Sequence, residues 1–506
     1  MPPAMTLLVQ VFAAVLLLTL DVGVAVGGGG KSLVLSLERT SHAGFGLSQL
    51  RNIDRVRHGR LLQQQPAGVV NFPLLGTYDP FLVGRYFTRI KLGTPPKEYY
   101  VLIDTGSHVL WVSCKNCKGC PTYSGLQIEL QLFDPSNSST ASVISCSDRP
   151  CALGSRSSDA ACADHSRCGY KFRYADGSGT SGYYVSDSVY LDTILGNPSM
   201  SNASAPIIFG CSTSHTGDLI STDNAVDGIL GLGRTGISLI SQLSAQGITQ
   251  GAFAHCLRGE NGGGGVLVFG QTEAPNMVYT PLVPSQSLYY VNLQSIAVNG
   301  QNLNIDPSVF ATSNERGTIL DSGTTLAFLA EEAFDPFVKT ITQAVVSKSA
   351  HAIFSRRNHC YQTNSSEMFP LVHLNFAGGA SMILKPQDYL LQQRASDGST
   401  LWCVGFQNNG KMTILGELVL KDRMVVYDLA GQKIGWADYN CSLPVNFTNT
   451  SATTATDTVR NKADESFPRG GRADNKNSAH YRPHKLTLSF FTFLLHSMVF
   501  FYFCRN

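Results

Sequence analysis

The chain is poor in charge and offers few candidates for long helices. Of its 506 residues only 15% are Asp, Glu, Lys or Arg, while 43% are hydrophobic. That balance belongs to a globular protein with room for two large lobes, not to a disordered chain. The formal charge of +2 supplies no strong field of either sign, and the small basic excess lies at the two ends. Residues 75–445 hold 24 basic against 29 acidic residues, a net of −5. Basic ends of a chain whose body is acidic argue against a nucleic-acid partner. No His-Glu-x-x-His string occurs, which excludes the zincin arrangement. The nearest approach to a nucleophile elbow, Gly177-Ser178-Gly179, lacks the outer glycine spacing and the strand-to-helix setting of a serine hydrolase. Residues 25–32 loosely match a phosphate-binding loop, but they follow an apolar leader and belong to no strand–helix unit. No metal and no cofactor is expected.

Against these absences stands a doubled motif. Val101-Leu102-Ile103-Asp104-Thr105-Gly106-Ser107 and Thr318-Ile319-Leu320-Asp321-Ser322-Gly323-Thr324 lie 217 residues apart. Each is an apolar run that reads as a buried strand, followed by Asp, a hydroxyl residue, Gly and a second hydroxyl residue. One Asp-hydroxyl-Gly triplet is only a turn signal. Here, however, each copy has a later apolar-apolar-Gly partner, Val226-Asp227-Gly228-Ile229-Leu230-Gly231 and Thr413-Ile414-Leu415-Gly416. A motif repeated together with its partner indicates duplicated lobes. Two carboxylates brought face to face cannot both ionise cheaply, so Asp104 and Asp321 would share one proton. The ionised member can take a proton from water while the other donates to a carbonyl oxygen, which suits hydrolysis of a peptide bond. Gly106 and Gly323 allow close backbone approach, and Ser107 and Thr324 can hydrogen-bond the carboxylates.

At these residues the chain resembles the pepsin-like aspartic proteases. Within them it is similar to the plant nepenthesin-type enzymes, particularly the GPI-anchored aspartic proteinase 36/39 group. The matching segments run from Tyr86-Phe87-Thr88-Arg89-Ile90-Lys91-Leu92-Gly93-Thr94-Pro95-Pro96 through Ala225–Gly231 and Ile414-Leu415-Gly416 to Ile434-Gly435-Trp436-Ala437. The resemblance implies an all-β, bilobal fold with pseudo-two-fold related lobes and few short helices. It implies an endopeptidase acting on protein or peptide substrates, as a monomer, with Thr105 and Ser322 tying the two loops together. It also implies a flap at Tyr174-Ala175-Asp176-Gly177-Ser178-Gly179, with Tyr174 closing over substrate on Trp111, and Thr325 beside the second motif. Without the resemblance this segment reads as an ordinary hairpin tip. Two positions depart from the family pattern: His108 and Glu417 each stand where Asp is common. A non-catalytic extracellular relative that binds or inhibits other proteins is the alternative, and the two complete motifs speak against it.

Thirteen cysteines suggest an oxidising compartment. Twelve lie in the body and fit six disulfides, while Cys504 stands apart; a metal site at Cys114, Cys117 and Cys120 is the rival reading. The resemblance implies the pairs Cys114–Cys117, Cys120–Cys211, Cys146–Cys168, Cys151–Cys162, Cys256–Cys441 and Cys360–Cys403. Along the chain, residues 1–27 read as a signal peptide. Residues 28–75 form a basic segment, either a prosegment held over an acidic cleft or a solvated linker. Lobes are expected over 76–275 and 276–441, with short strands and one good helix candidate at Glu331–Lys348. A polar linker over 442–485 leads to an apolar tail, 486–506, which reads as a GPI signal or a membrane anchor. With sequons at Asn137, Asn202, Asn364, Asn440, Asn446 and Asn449, the expected location is the outer face of the plasma membrane.

Overall fold

The computed structural model describes residues 69–77, 85–149, 151, 160–162, 166–195, 199–259, 263–348, 350–354, 359–395, 397–443 and 445. The leader, most of the basic segment, the linker beyond 445 and the apolar tail lie outside the described residues.

Strands dominate. Val69–Thr77 (β1) pairs antiparallel with Gly265–Phe269 and with Arg85–Leu92 (β2). Val70, Phe72 and Leu74 alternate along β1 and are buried, as the two-residue period of a strand requires. Residues 69–75, which the sequence reading assigns to the basic segment, are thus part of a core strand. β2 pairs with Lys97–Asp104 (β3), the strand that ends on the first Asp.

The repeated motif has a structural counterpart. Gly228–Gly231 (β5) lies between β3 and Leu110–Lys118 (β4), parallel to the first with Gly231 opposite Asp104, antiparallel to the second with Ile229 opposite Trp111. In the second half, Met412–Leu415 (β8) lies parallel to Gly317–Leu320 (β6), with Leu415 opposite Leu320, and antiparallel to Ala327–Leu329 (β7). Each apolar-apolar-Gly string is therefore the strand that runs beside an Asp-bearing strand. Parallel neighbours need a long crossover, which is why the two parts of each motif stand far apart in sequence.

β1 to β5 belong to a 15-stranded sheet that also takes in the late hairpin Arg423–Asp428 and Lys433–Asp438. Arg423–Asp428 pairs with Ala252–Leu257, and Cys256 is bonded to Cys441 at the same edge. β6, β7 and β8 belong to a separate five-stranded sheet. Among the described residues there are three α-helices: Leu239–Ala245 (α1), Glu331–Val346 (α2) and Glu417–Leu420 (α3). α2 ends two residues before the expected boundary. It buries Phe334, Phe337, Val338, Ile341 and Val345 along one face, while Glu331 and Glu332 favour its N-terminus.

All twelve body cysteines are in disulfides, but four of the six expected pairs are wrong. Cys256–Cys441 and Cys360–Cys403 form as implied. The others are Cys114–Cys211, Cys117–Cys120, Cys146–Cys162 and Cys151–Cys168. Cys114 is buried on β4, which runs parallel to Ser199–Thr216 with Val112 opposite Cys211, so Cys114 reaches Cys211 directly. Cys117 and Cys120 then close on each other across a tight loop in which Asn116 and Gly119 take φ of 66° and 75°. In the second cluster burial sorts the pairs. Cys151 and Cys168 are in the core with Trp111 and Tyr184, while Cys146 and Cys162 meet nearer the surface.

Candidate active site

The two Asp loops are fastened to each other by a symmetrical set of buried hydrogen bonds. Thr105 N donates to Ser322 Oγ at 3.2 Å, and Ser322 N donates to Thr105 Oγ1 at 2.9 Å. Each hydroxyl then donates to the strand before the opposite Asp, Thr105 Oγ1 to Leu320 O at 3.1 Å and Ser322 Oγ to Ile103 O at 3.2 Å. A side chain at the residue after each Asp that both donates and accepts makes this closed arrangement possible.

The carboxylates are held alike. Asp104 Oδ1 accepts from Gly106 N at 2.8 Å and its Oδ2 accepts from Ser107 Oγ. Asp321 Oδ1 accepts from Gly323 N at 2.9 Å and its Oδ2 from Thr324 Oγ1 at 2.6 Å. Each glycine also packs on the opposite carboxylate. A Cβ on Gly106 would stand 2.6 Å from the Asp321 carboxyl atoms, and one on Gly323 would stand 2.7 Å from Asp104 Cγ. Both Asp residues are nearly inaccessible, at 6% and 9% exposed. Burial, and then the adjacent Asp321 charge, hold the Asp104 pKa well above the usual carboxylate range; the Ser107 and Gly106 hydrogen bonds oppose this.

The expected flap is a hairpin tip. Gly169–Arg173 and Gly179–Leu195 pair with Arg173 opposite Gly179, and Tyr174 N donates to Ser178 O at 2.9 Å. Gly177 takes φ of 87°, which a side chain would resist, and Asp176 Oδ1 accepts from Ser178 N and Oγ. Trp111 Nε1 donates to Tyr174 Oη at 2.8 Å. Burial, followed by the Asp104 charge, raises the Tyr174 pKa, which places the phenol in the electrostatic reach of the dyad. Thr325 follows the second motif, and its carbonyl accepts from Leu418 N at 3.0 Å.

Of the two departures, His108 packs against Gly233, and burial lowers its pKa. Glu417 is buried at the start of α3, where its N–H donates to Thr324 O at 2.7 Å. Two residues escaped the sequence reading. Asp227 is a buried carboxylate that accepts from Tyr100 N at 2.7 Å and Gln131 N at 2.5 Å, and burial pushes its pKa up to about 6. It lies inside the first apolar-apolar-Gly string, so its place was visible and its role was not. His215 stacks edge-on to Trp111 at 5.0 Å, and no spacing in the sequence singles it out.

The chain matches the family described as Xylanase inhibitor N-terminal over residues 86–271 and Xylanase inhibitor C-terminal over 288–438. Aspartic proteinase 36 of Arabidopsis thaliana is 39% identical over 408 residues, 78% of this chain and 81% of that protein. Aspartic proteinase 39 of the same plant is 37% identical, covering 78% and 82%. Nepenthesin-1 of Nepenthes gracilis is 29% identical over 71% of this chain and 78% of its own length. Among solved structures, basic 7S globulin from soybean superposes with a TM-score of 0.58 at 21% identity, over 76% of this chain and all of that one. Conglutin gamma from lupine seeds gives 0.59 at 20% identity over the same shares. At one-fifth identity these two show the fold alone.

Proposed function

The chain belongs to the pepsin-like aspartic proteases, in the plant nepenthesin-type branch with aspartic proteinases 36 and 39, and from that premise we propose that it hydrolyses protein substrates at acidic pH through Asp104 and Asp321. The observation that carries this reading is the reciprocal Thr105–Ser322 fastening with a carboxylate on either side. The dyad carries one proton. Its ionised member accepts a proton from water as the water oxygen bonds to the scissile carbonyl carbon. Its protonated member donates to the carbonyl oxygen. Collapse of the resulting gem-diol, with proton transfer to the amide nitrogen, breaks the C–N bond. Gly106, Gly323, Ser107 and Thr324 fix the carboxylates, and Tyr174 covers the site from the flap. No side-chain nucleophile takes part.

Acid incubation of the full chain followed by digestion of denatured casein tests the proposal. Cleavage that pepstatin abolishes is expected. Intact casein from folded, acid-treated protein would favour the second reading, an extracellular binding relative, which the xylanase-inhibitor family description keeps in view. We place the protein in the secretory pathway, kept silent by its basic segment and held at the outer cell surface by a GPI lipid. The disulfides and sequons support secretion. Phosphatidylinositol-specific phospholipase C then releases active enzyme from intact cells. Peptides from residues 486–503 in the mature protein would instead establish a retained anchor.

A further inference from the structure

Behind the fastened loops lies a buried hydrogen-bonded pair for which the reaction has no direct use. His255 and Tyr427 sit on the paired strands Ala252–Leu257 and Arg423–Asp428. Phe253 is opposite Tyr427 and His255 is opposite Val425, so His255 and Tyr427 are diagonal neighbours on one face. Both are fully buried, and His255 Nε2 stands 3.0 Å from Tyr427 Oη. The phenol ring lies flat against Phe253 at 4.3 Å and is met edge-on by Tyr289 at 4.6 Å. Tyr289 reaches both Asp loops: its carbonyl accepts from Leu320 N at 3.3 Å, and its Oη donates to Leu232 O at 2.5 Å. Leu232 N in turn donates to Asp104 O at 2.8 Å. This aromatic layer therefore backs directly onto the two loops.

Tautomer and burial fix the direction of these bonds. Burial lowers the His255 pKa to about 3, so above that pH the ring is neutral and carries one N–H. Its Nδ1 has no partner among the described residues. A buried N–H without an acceptor is rarer than an acceptor without a donor. The hydrogen therefore belongs on Nε2, which donates to Tyr427 Oη, and the phenol's own hydrogen must go elsewhere. Burial raises the Tyr427 pKa; a hydrogen bond with the Thr105 side chain opposes the rise, and the Asp321 charge adds to it. Thr105 Oγ1 already accepts from Ser322 N and donates to Leu320 O, which leaves it one lone pair. Leu320 and Ser322 are the residues on either side of Asp321.

We propose that Tyr427 is a positioning residue for the dyad: oriented by His255, its hydroxyl donates to Thr105 Oγ1 and so holds the groups that flank Asp321. The relay runs from His255 Nε2 through Tyr427 Oη and Thr105 Oγ1 to Leu320 O, with one acceptor for each donor. Neither His255 nor Tyr427 touches substrate or exchanges a proton with it. Without the phenol hydroxyl, Thr105 Oγ1 is free to turn, which loosens Asp321 in the chemical step and leaves substrate binding alone. One neutral hydrogen bond used in this way corresponds to about threefold to tenfold in kcat.

This inference rests on the proteolytic reading, and its test separates the two. Tyr427→Phe removes the hydroxyl and keeps the ring against Phe253 and Tyr289. Both kcat and KM are measured on a quenched peptide, at an acid pH above the His255 pKa. Rates are taken per site titrated with pepstatin, so the folded fraction does not enter. Expected is a kcat lowered about threefold to tenfold with KM within about twofold of wild type. His255→Leu should lower kcat in the wild-type background and cost nothing more in Tyr427→Phe, because it acts through a hydroxyl already gone. His255→Gln, which puts an amide donor where Nε2 stands, should recover most of the His255→Leu loss. A folded Tyr427→Phe enzyme with a smaller fall in kcat, or a His255→Leu loss that adds in full to it, overturns the inference and leaves the protease intact. If Tyr427→Phe does not fold, equal kcat in His255→Leu and His255→Gln overturns it instead. Failure of the wild type to cleave either the peptide or casein overturns both.

Discussion

Replacing Gly323 by Ala tests the site with the least disturbance to anything else. Neither Gly323 nor Gly106 takes a left-handed φ, so alanine adds no backbone strain at either position. What it adds is a methyl group against the opposite carboxylate. Ordinary contact begins at 3.4 Å, and the new Cβ at Gly323 would lie nearest to Asp104 Oδ1 and 2.7 Å from its Cγ, so the carboxyl must retreat by about 1 Å. Asp104 has little freedom to do so, being bonded to Gly106 N and Ser107 Oγ and tied through Thr105 to the other loop. A misplacement near 1 Å in a reacting group costs on the order of 100-fold in rate, which is about 2.7 kcal/mol of barrier. Overpacking should cost the fold roughly 1–3 kcal/mol. The assay is kcat on a quenched peptide alongside thermal melting, with Gly106→Ala as the mirror experiment on Asp321. Gly236→Ala is the control, since its Cβ meets nothing within 4 Å, and it should be neutral or stabilise by about 0.4–1 kcal/mol. A folded Gly323→Ala enzyme with kcat within about threefold of wild type would refute the placement of the chemistry between the loops.

Asp104→Asn and Asp321→Asn should each abolish casein cleavage, because each removes half of the proton-sharing pair; turnover near wild type by either folded variant would overturn the mechanism. The Asp104 pKa is raised in the native state, so its proton is held where the unfolded chain has lost one. That stabilisation is present at acid pH and is lost as pH rises through the raised value, so Asp104→Asn should gain in melting temperature relative to wild type from acid towards neutral pH. Taking the difference cancels buried His215 and His255, whose lowered pKa values act with the opposite sign. Arg423→Ala should cost about 3–5 kcal/mol in denaturant unfolding, since it strips the partner at 2.8 Å from the buried Asp388 carboxylate. Peptide mapping without reduction should find Cys114–Cys211 and Cys117–Cys120, and a Cys114–Cys117 link would contradict the described topology.

The meeting of the two Asp loops was legible because duplication left the same mark twice. Asp104 and Asp321 sit at strand ends, and the strand that covers each has its own apolar-apolar-Gly string. α2 was legible from its apolar spacing and paired N-terminal acids. The cysteine pairing was not, because it depends on register between strands nearly 100 residues apart. Cys146, Cys151, Cys162 and Cys168 are close enough that spacing alone permits several pairings, and Cys151 Sγ stands 3.6 Å from Cys162 Sγ, to which it is not bonded. β1 was hidden for a different reason: Val69, Val70, Phe72 and Leu74 form a short run after Gln63-Gln64-Gln65-Pro66, and the polar neighbours outweighed it. His215 was unreadable because a lone histidine acquires meaning only from what folds around it.

The pairing of Ala252–Leu257 with Arg423–Asp428 sets an order of events during synthesis. The ribosome delivers the first of these strands about 170 residues before its neighbour, and Cys256 waits 185 residues for Cys441. Until then Ala252–Leu257, buried along its whole length in the finished protein, presents an open apolar edge. A chain that stops before Arg423 can carry both Asp motifs and still lack the strand that closes this edge. Premature termination late in the message should therefore yield aggregates rather than a shortened, soluble two-lobed protein.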